Sequence, residues 1–192
     1  SKRLPVRRPF EQLVLNVRNK SSRNGQKPVL IVLHDTESHD APGLADLKAI
    51  GAWFDNPASQ VSSHVCVDGT GISAQYVPDG AKAWHCKNFN SISLGIEQIG
   101  FATFTQAMWN RNDRAQLLKV AKYIAYFSKE FGIPIRRGEV SSRTGAVLKS
   151  GVVTHADLGL QGGGHHDPGS GYPVSAVLLA ARYYLRRGWP HS

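Results

Sequence analysis

Two short apolar runs, each closed by a histidine, constrain this chain more than any other feature: residues 28–33 (PVLIVL) lead into His34, and residues 151–154 (GVVT) lead into His155. An unbroken apolar stretch with β-branched residues and polar flanks fits a strand covered on both faces. Side chains just beyond the carboxyl ends of such strands gather in one crevice of an open α/β sheet. The same two runs therefore point to a sheet and to a place on it where chemistry can collect.

The rest of the chain alternates strand and helix patterns. Leu44, Leu47, Ile50 and Phe54 recur at helical spacing until Asn56-Pro57 stops them. Short strands are expected over residues 63–67, 72–77, 81–85 and 91–99, separated by Asp-Gly and Pro-Asp-Gly turns. Residues 113–131 form the clearest amphipathic pattern, with Asp113 as the expected N-cap and Gly132-Ile133-Pro134 as its end. Residues 136–150 read as a loop or exposed hairpin, and a last helix is expected over 174–187. The expected class is α/β, a central mixed sheet flanked by helices on both faces. At 192 residues the chain suits one domain, with 1–27 as a basic lead-in holding one apolar island at 13–17 and 28–187 as the core.

Composition narrows the function classes. With 41% hydrophobic and 19% charged residues, wholesale disorder is excluded. No apolar run approaches the ~20 residues of a membrane span, so membrane insertion is not expected. The formal charge of +9 suits an acidic partner such as nucleic acid, anionic lipid or an anionic wall polymer. No helix-turn-helix, RNA-recognition or zinc-finger signature accompanies it, so nucleic acid is not the expected partner. Cys66 and Cys86 sit in apolar, strand-like stretches and read as buried hydrophobes, with one disulfide between neighbouring strands as the alternative.

His34 and His155, joined by Asp167 folding back after the glycine-rich loop at 162–164, would supply two imidazoles and a carboxylate, the ligand set of a catalytic zinc site. Taken singly, each histidine reads more readily as a hydrogen-bonded core or surface residue than as a ligand. Glu97, a carboxylate inside the apolar segment LGIEQIG, needs either a structural partner or a polar site that tunes it for acid–base work. His64 and His85 read as core or as support for the site, and His39 and His191 as surface residues.

The ordered series His34-Asp35-Thr36, Ser63-His64 with Asp68-Gly69, Val77-Pro78-Asp79, Ala83-Trp84-His85, Ser93-Leu94-Gly95-Ile96-Glu97, and His155 with Asp167-Pro168-Gly169 resembles the type 2 N-acetylmuramoyl-L-alanine amidases. That family includes amidase-type phage lysozymes, cell-wall recycling amidases and peptidoglycan recognition proteins. The resemblance spans about residues 28–187 and implies a zinc ion on His34, His155 and Asp167, with Glu97 as general base. It also implies cleavage of the bond between the lactyl group of N-acetylmuramic acid and L-alanine, and hence a peptidoglycan substrate. His165 stands where the family often has a lysine that steadies the oxyanion, and residues 136–150 are longer than the family's usual link. With no secretory signal pattern at the N-terminus, the expectation is a monomer that is either phage-encoded, made in a host and acting on its wall, or a cytoplasmic recycling enzyme. The rivals are a non-catalytic peptidoglycan-binding module of the same fold and a zinc hydrolase of another amide.

Overall fold

The computed structural model describes residues 2–190. Its centre is a six-stranded sheet in the order β1-β5-β4-β7-β3-β10, formed by β1 (Leu13–Val14), β3 (Leu30–Leu33), β4 (Val65–Val67), β5 (Ser73–Gln75), β7 (Ser93–Gln98) and β10 (Gly151–Thr154). All neighbours run parallel except β4 and β5, so the sheet is mixed. β3 lies between β7 and β10 with all four residues buried, as its continuous apolar run demands.

The two faces of β3 feed different layers. Ile31 and Leu33 pack with Val65, Ile96 and Val152 under α3 (Ala115–Phe131) and α4 (Val174–Arg187). Leu30 and Val32 pack with Val153 of β10 and with Phe89 and Leu158, contributed by the 3-10 turns Lys87–Ile92 and Ala156–Gly162. On that second side α1 (Ala45–Asp55) sets Leu47 and Phe54 against Cys66, Ala74 and Tyr76 near the β1 edge. A short helix, α2 (Gln106–Trp109), carries fully buried Trp109 into the α3–α4 layer. The expected hairpin forms as β8 (Glu139–Val140) and β9 (Val147–Lys149).

Three expectations need correction. Residues 1–27 are not a lead-in outside the core: β1 pairs with β5, and β2 (Lys20–Ser21) pairs with β6 (Lys82–Ala83). Arg23 from the same stretch is only 5% exposed, its guanidinium donating to the carbonyls of Asp79, Ser91 and Ser93. The strand expected over 81–85 is cut to Lys82–Ala83 and stands in that small ribbon, outside the main sheet. Asp113 does not cap α3: Asn112, Asp113 and Arg114 all adopt positive φ in a tight turn, and the helix starts after Arg114 with no side-chain cap. Cys66 and Cys86 are both free and buried, and burial pushes the Cys86 thiol up to about 12. Among the described residues, no helix is long and apolar enough to cross a membrane.

Candidate metal centre

Strand register assembles the site. Leu33 pairs with Ile96 on one side and with Thr154 on the other. The next residue on each parallel strand is Glu97, His34 or His155, so these three leave the sheet side by side at one level and toward one face. Asp167 arrives from elsewhere in the chain. Its carbonyl accepts from Ala156 N at 3.1 Å, and its Oδ2 accepts from Asp35 N at 3.2 Å. Gly169 permits that return: its φ is +91°, and a Cβ there would lie 1.9 Å from the Ala102 carbonyl oxygen.

His34 Nδ1 lies 3.0 Å from His155 Nδ1 and 3.3 Å from Asp167 Oδ2, and His155 Nδ1 lies 3.1 Å from Asp167 Oδ1. Tetrahedral zinc with bonds of ~2.0–2.1 Å spaces its ligand atoms by about 3.3 Å, so the three donors match that cage closely. Two imidazole nitrogens pointing at each other across 3.0 Å repel unless a proton or a cation sits between them. The outer nitrogens are engaged: His155 Nε2 donates to Gly162 O at 2.8 Å, and His34 Nε2 lies 2.8 Å from His85 Nδ1. Metal-binding histidines are oriented through this kind of outer hydrogen bond. By donor type, spacing and outer partners the three residues fit a zinc ion.

The surrounding electrostatics suit a buried cation. Burial pushes the His34 imidazole down to about 4, keeping it neutral. Burial alone would raise the Asp167 carboxyl, but its close contacts with His155 and His34 outweigh it and hold Asp167 well below the usual carboxylate range. Glu97 moves the other way, raised by burial and then by the charges of Asp167 and Asp35. Its Oε1 is 4.0 Å from His34 Nδ1, and its Oε2 has no protein partner. A buried carboxyl with a free oxygen beside a histidine pair is poised to exchange protons with something in the cavity.

His165 stacks on His155 with centroids 4.1 Å apart and an interplanar angle of 16°, its side chain 58% exposed to the cavity mouth. The five residues given site roles from the sequence, His34, Glu97, His155, His165 and Asp167, thus line one cavity of about 530 Å³, and His85 lines it with them. His64 does not: it is fully buried, accepting from Gly95 N and donating to Ala81 O. His39 is exposed against Phe101, and His191 lies outside the described residues. Sequence reasoning overlooked Trp53 and Lys87, which line the same cavity. Trp53 is 55% exposed on α1, and a large aromatic off the buried stripe of an amphipathic helix was the signal available for it. Asp40, Asp46 and Asp68 also converge, but Arg111 pairs with Asp40 at 2.8 Å and backbone amides bind all three carboxylates.

Comparison with known proteins gives a consistent result. The family model described as N-acetylmuramoyl-L-alanine amidase matches residues 24–170. N-acetylmuramoyl-L-alanine amidase A of Achromobacter lyticus is 33% identical over 89 residues, 44% of this chain and 46% of that protein. The match thus spans just under half of that relative's length. Among solved structures, the Staphylococcus aureus hydrolase AmiA in complex with its ligand superposes with a TM-score of 0.65 at 19% identity, covering 93% of this chain and 87% of that one. AmpD superposes at 0.64 and 19% identity, over 93% and 98% of the two chains. The endolysin amidase LysCS of Clostridium intestinale gives 0.58 at 15% identity, over 90% and 97%. At these identities the structural likeness speaks to the fold.

Proposed function

Because the chain belongs to the N-acetylmuramoyl-L-alanine amidase family, we propose that it hydrolyses the amide between the lactyl group of N-acetylmuramic acid and the L-alanine of the peptidoglycan stem, using zinc held by His34, His155 and Asp167. The observation that carries this reading is the convergence of three donor atoms, within 4.8 Å of one another, beside the unpartnered Glu97 oxygen. A peptidoglycan-binding module without catalysis would need neither a complete donor set nor a buried acid aimed at it.

Zinc bound there supplies Lewis acidity toward the scissile carbonyl and toward water. The remaining work falls to side chains. Glu97 takes a proton from the attacking water and returns it to the leaving alanine nitrogen, a role that suits a carboxyl raised by burial. His165, exposed at the mouth and stacked on His155, directs an N–H toward the oxygen that gains charge during attack. Only one such donor is available from a neutral ring, fewer than a lysine offers. Trp53 and Trp84 line the outer groove and offer flat faces to a sugar ring. The net charge of +9 favours approach to an anionic wall, in keeping with a role in wall lysis.

Digestion of purified peptidoglycan tests the proposal. It predicts stem peptides with free L-alanine amino termini and no new reducing sugar ends. New reducing ends in place of free amines would identify a glycosidase and refute it.

A further inference from the structure

His85 is the cavity histidine that this chemistry leaves without a task. Its Nδ1 lies 2.8 Å from His34 Nε2, and its Nε2 lies 3.0 Å from Ser93 Oγ. Ser93 Oγ in turn lies 2.8 Å from the Phe89 carbonyl oxygen. These four groups form a chain in which the direction of every proton can be worked out.

A carbonyl only accepts, so the Ser93 hydroxyl donates its one proton to Phe89 O and its oxygen is left as an acceptor. The Cys86 thiol, a weak donor, lies nearer that oxygen, at 3.2 Å, than His85 Nε2, at 3.6 Å, and so gives its proton to the oxygen. His85 must then carry its proton on Nε2, donating to Ser93, which leaves Nδ1 bare. A bare Nδ1 accepts from His34 Nε2–H. Neutral His34 with its proton on Nε2 presents an unprotonated Nδ1, and Nδ1 is the atom that faces His155 and Asp167. The reversed chain would place a proton on His34 Nδ1, in the middle of the donor set.

We propose that His85, itself oriented by Ser93, is a positioning residue that holds His34 in the one tautomer able to bind zinc. The proposal rests on the zinc reading above. The packing is built for it: a Cβ on Gly95 would lie 2.7 Å from His85 Nδ1, so the bare residue at that point of β7 is what lets the ring reach His34.

The test uses metal-free wild type, His85→Phe, His85→Gln and Ser93→Ala. Zinc affinity is measured by competition with a chromogenic chelator, the His34 tautomer by long-range proton–nitrogen NMR, and the fold by circular dichroism. Loss of an outer hydrogen-bond partner costs roughly 10–100-fold in metal affinity, the fall expected for His85→Phe. His34 should also gain an Nδ1-protonated population in that variant. His85→Gln, whose side-chain carbonyl can accept from His34 Nε2–H, should recover most of the affinity, and Ser93→Ala should fall between. A folded His85→Phe variant that binds zinc within about twofold of wild type overturns the proposal. So does a wild-type His34 that carries its proton on Nδ1. Should His85→Phe fail to fold, the wild-type tautomer and Ser93→Ala decide. Failure of wild type to bind zinc, with His34 still protonated on Nε2, would refute the zinc reading and leave the tautomer assignment standing.

Discussion

Acidification should destabilise this protein through His64, by an amount that the structure allows to be worked out. His64 is fully buried, and burial, followed by the nearby positive charges of Arg23 and Arg8, pushes its imidazole from 6.5 down to about 3. The charged and titratable groups facing it are Arg23, with its Nη2 at 3.2 Å, Arg8, and the His85 ring at 5.9 Å. Gly95 N donates to Nδ1, so the proton sits on Nε2 and points at Ala81 O; a second proton would have to displace the Gly95 bond. The unfolded chain therefore binds a proton that the folded chain refuses between pH 6.5 and 3. The sign follows: the contribution is fully present above about pH 6.5 and is lost as pH falls toward 3. Integrating one site with these two values gives a loss of about 2 kcal/mol between pH 7 and pH 5. The assay is urea unfolding of metal-free wild type and His64→Gln at pH 7, 6 and 5, read as free energy by linear extrapolation. His34 and His85 add slopes of their own, but these are common to both proteins and cancel in the difference. The stability gap between wild type and variant should close by about 2 kcal/mol on going to pH 5. A gap that stays constant across that range would refute the assignment of a neutral, proton-refusing His64.

Other perturbations have equally definite outcomes. Glu97→Gln keeps the shape of the carboxyl but cannot cycle a proton, so turnover should fall roughly 10²–10⁴-fold while zinc content, measured by atomic absorption, is unchanged. Gly169→Ala forces a Cβ to 1.9 Å from the Ala102 carbonyl at a left-handed backbone position; denaturant unfolding should show a loss of at least about 2 kcal/mol, since the Asp167 return must shift. Trp53→Ala, on the exposed face of α1, should raise KM for wall fragments with kcat nearly unchanged, because the side chain lies in the outer groove away from the reacting atoms.

The parts of this account that were legible in the sequence share a physical cause. β3 and β10 are buried on both faces, so their residues had to be uniformly apolar, and a histidine ending each run stood out. Glu97 was visible for the same reason, as a carboxylate directly after the apolar or small run Ser93–Ile96. The register that sets Glu97, His34 and His155 at one level was not legible, because pairing between distant strands leaves no local mark. β1 and β2 were hidden because two-residue edge strands show no alternation, and Arg23 because a buried arginine satisfied by backbone carbonyls looks in sequence like any surface arginine. Asp113 misled because it has the chemistry of a cap but falls in a turn of three consecutive positive-φ residues. His85 could be singled out but not assigned, since its role depends on a proton arrangement shared among four residues.

The central claim is that a metal ion on His34, His155 and Asp167 drives hydrolysis of the muramyl–alanine amide. Its most direct test is to strip the protein with chelator, assay release of free alanine amines from peptidoglycan, and restore stoichiometric zinc, with Asp167→Ala carried in parallel. The account predicts that activity vanishes on stripping, returns with zinc in the wild type, and does not return in Asp167→Ala. Full activity in the metal-free protein, or rescue of Asp167→Ala by equimolar zinc, would contradict it.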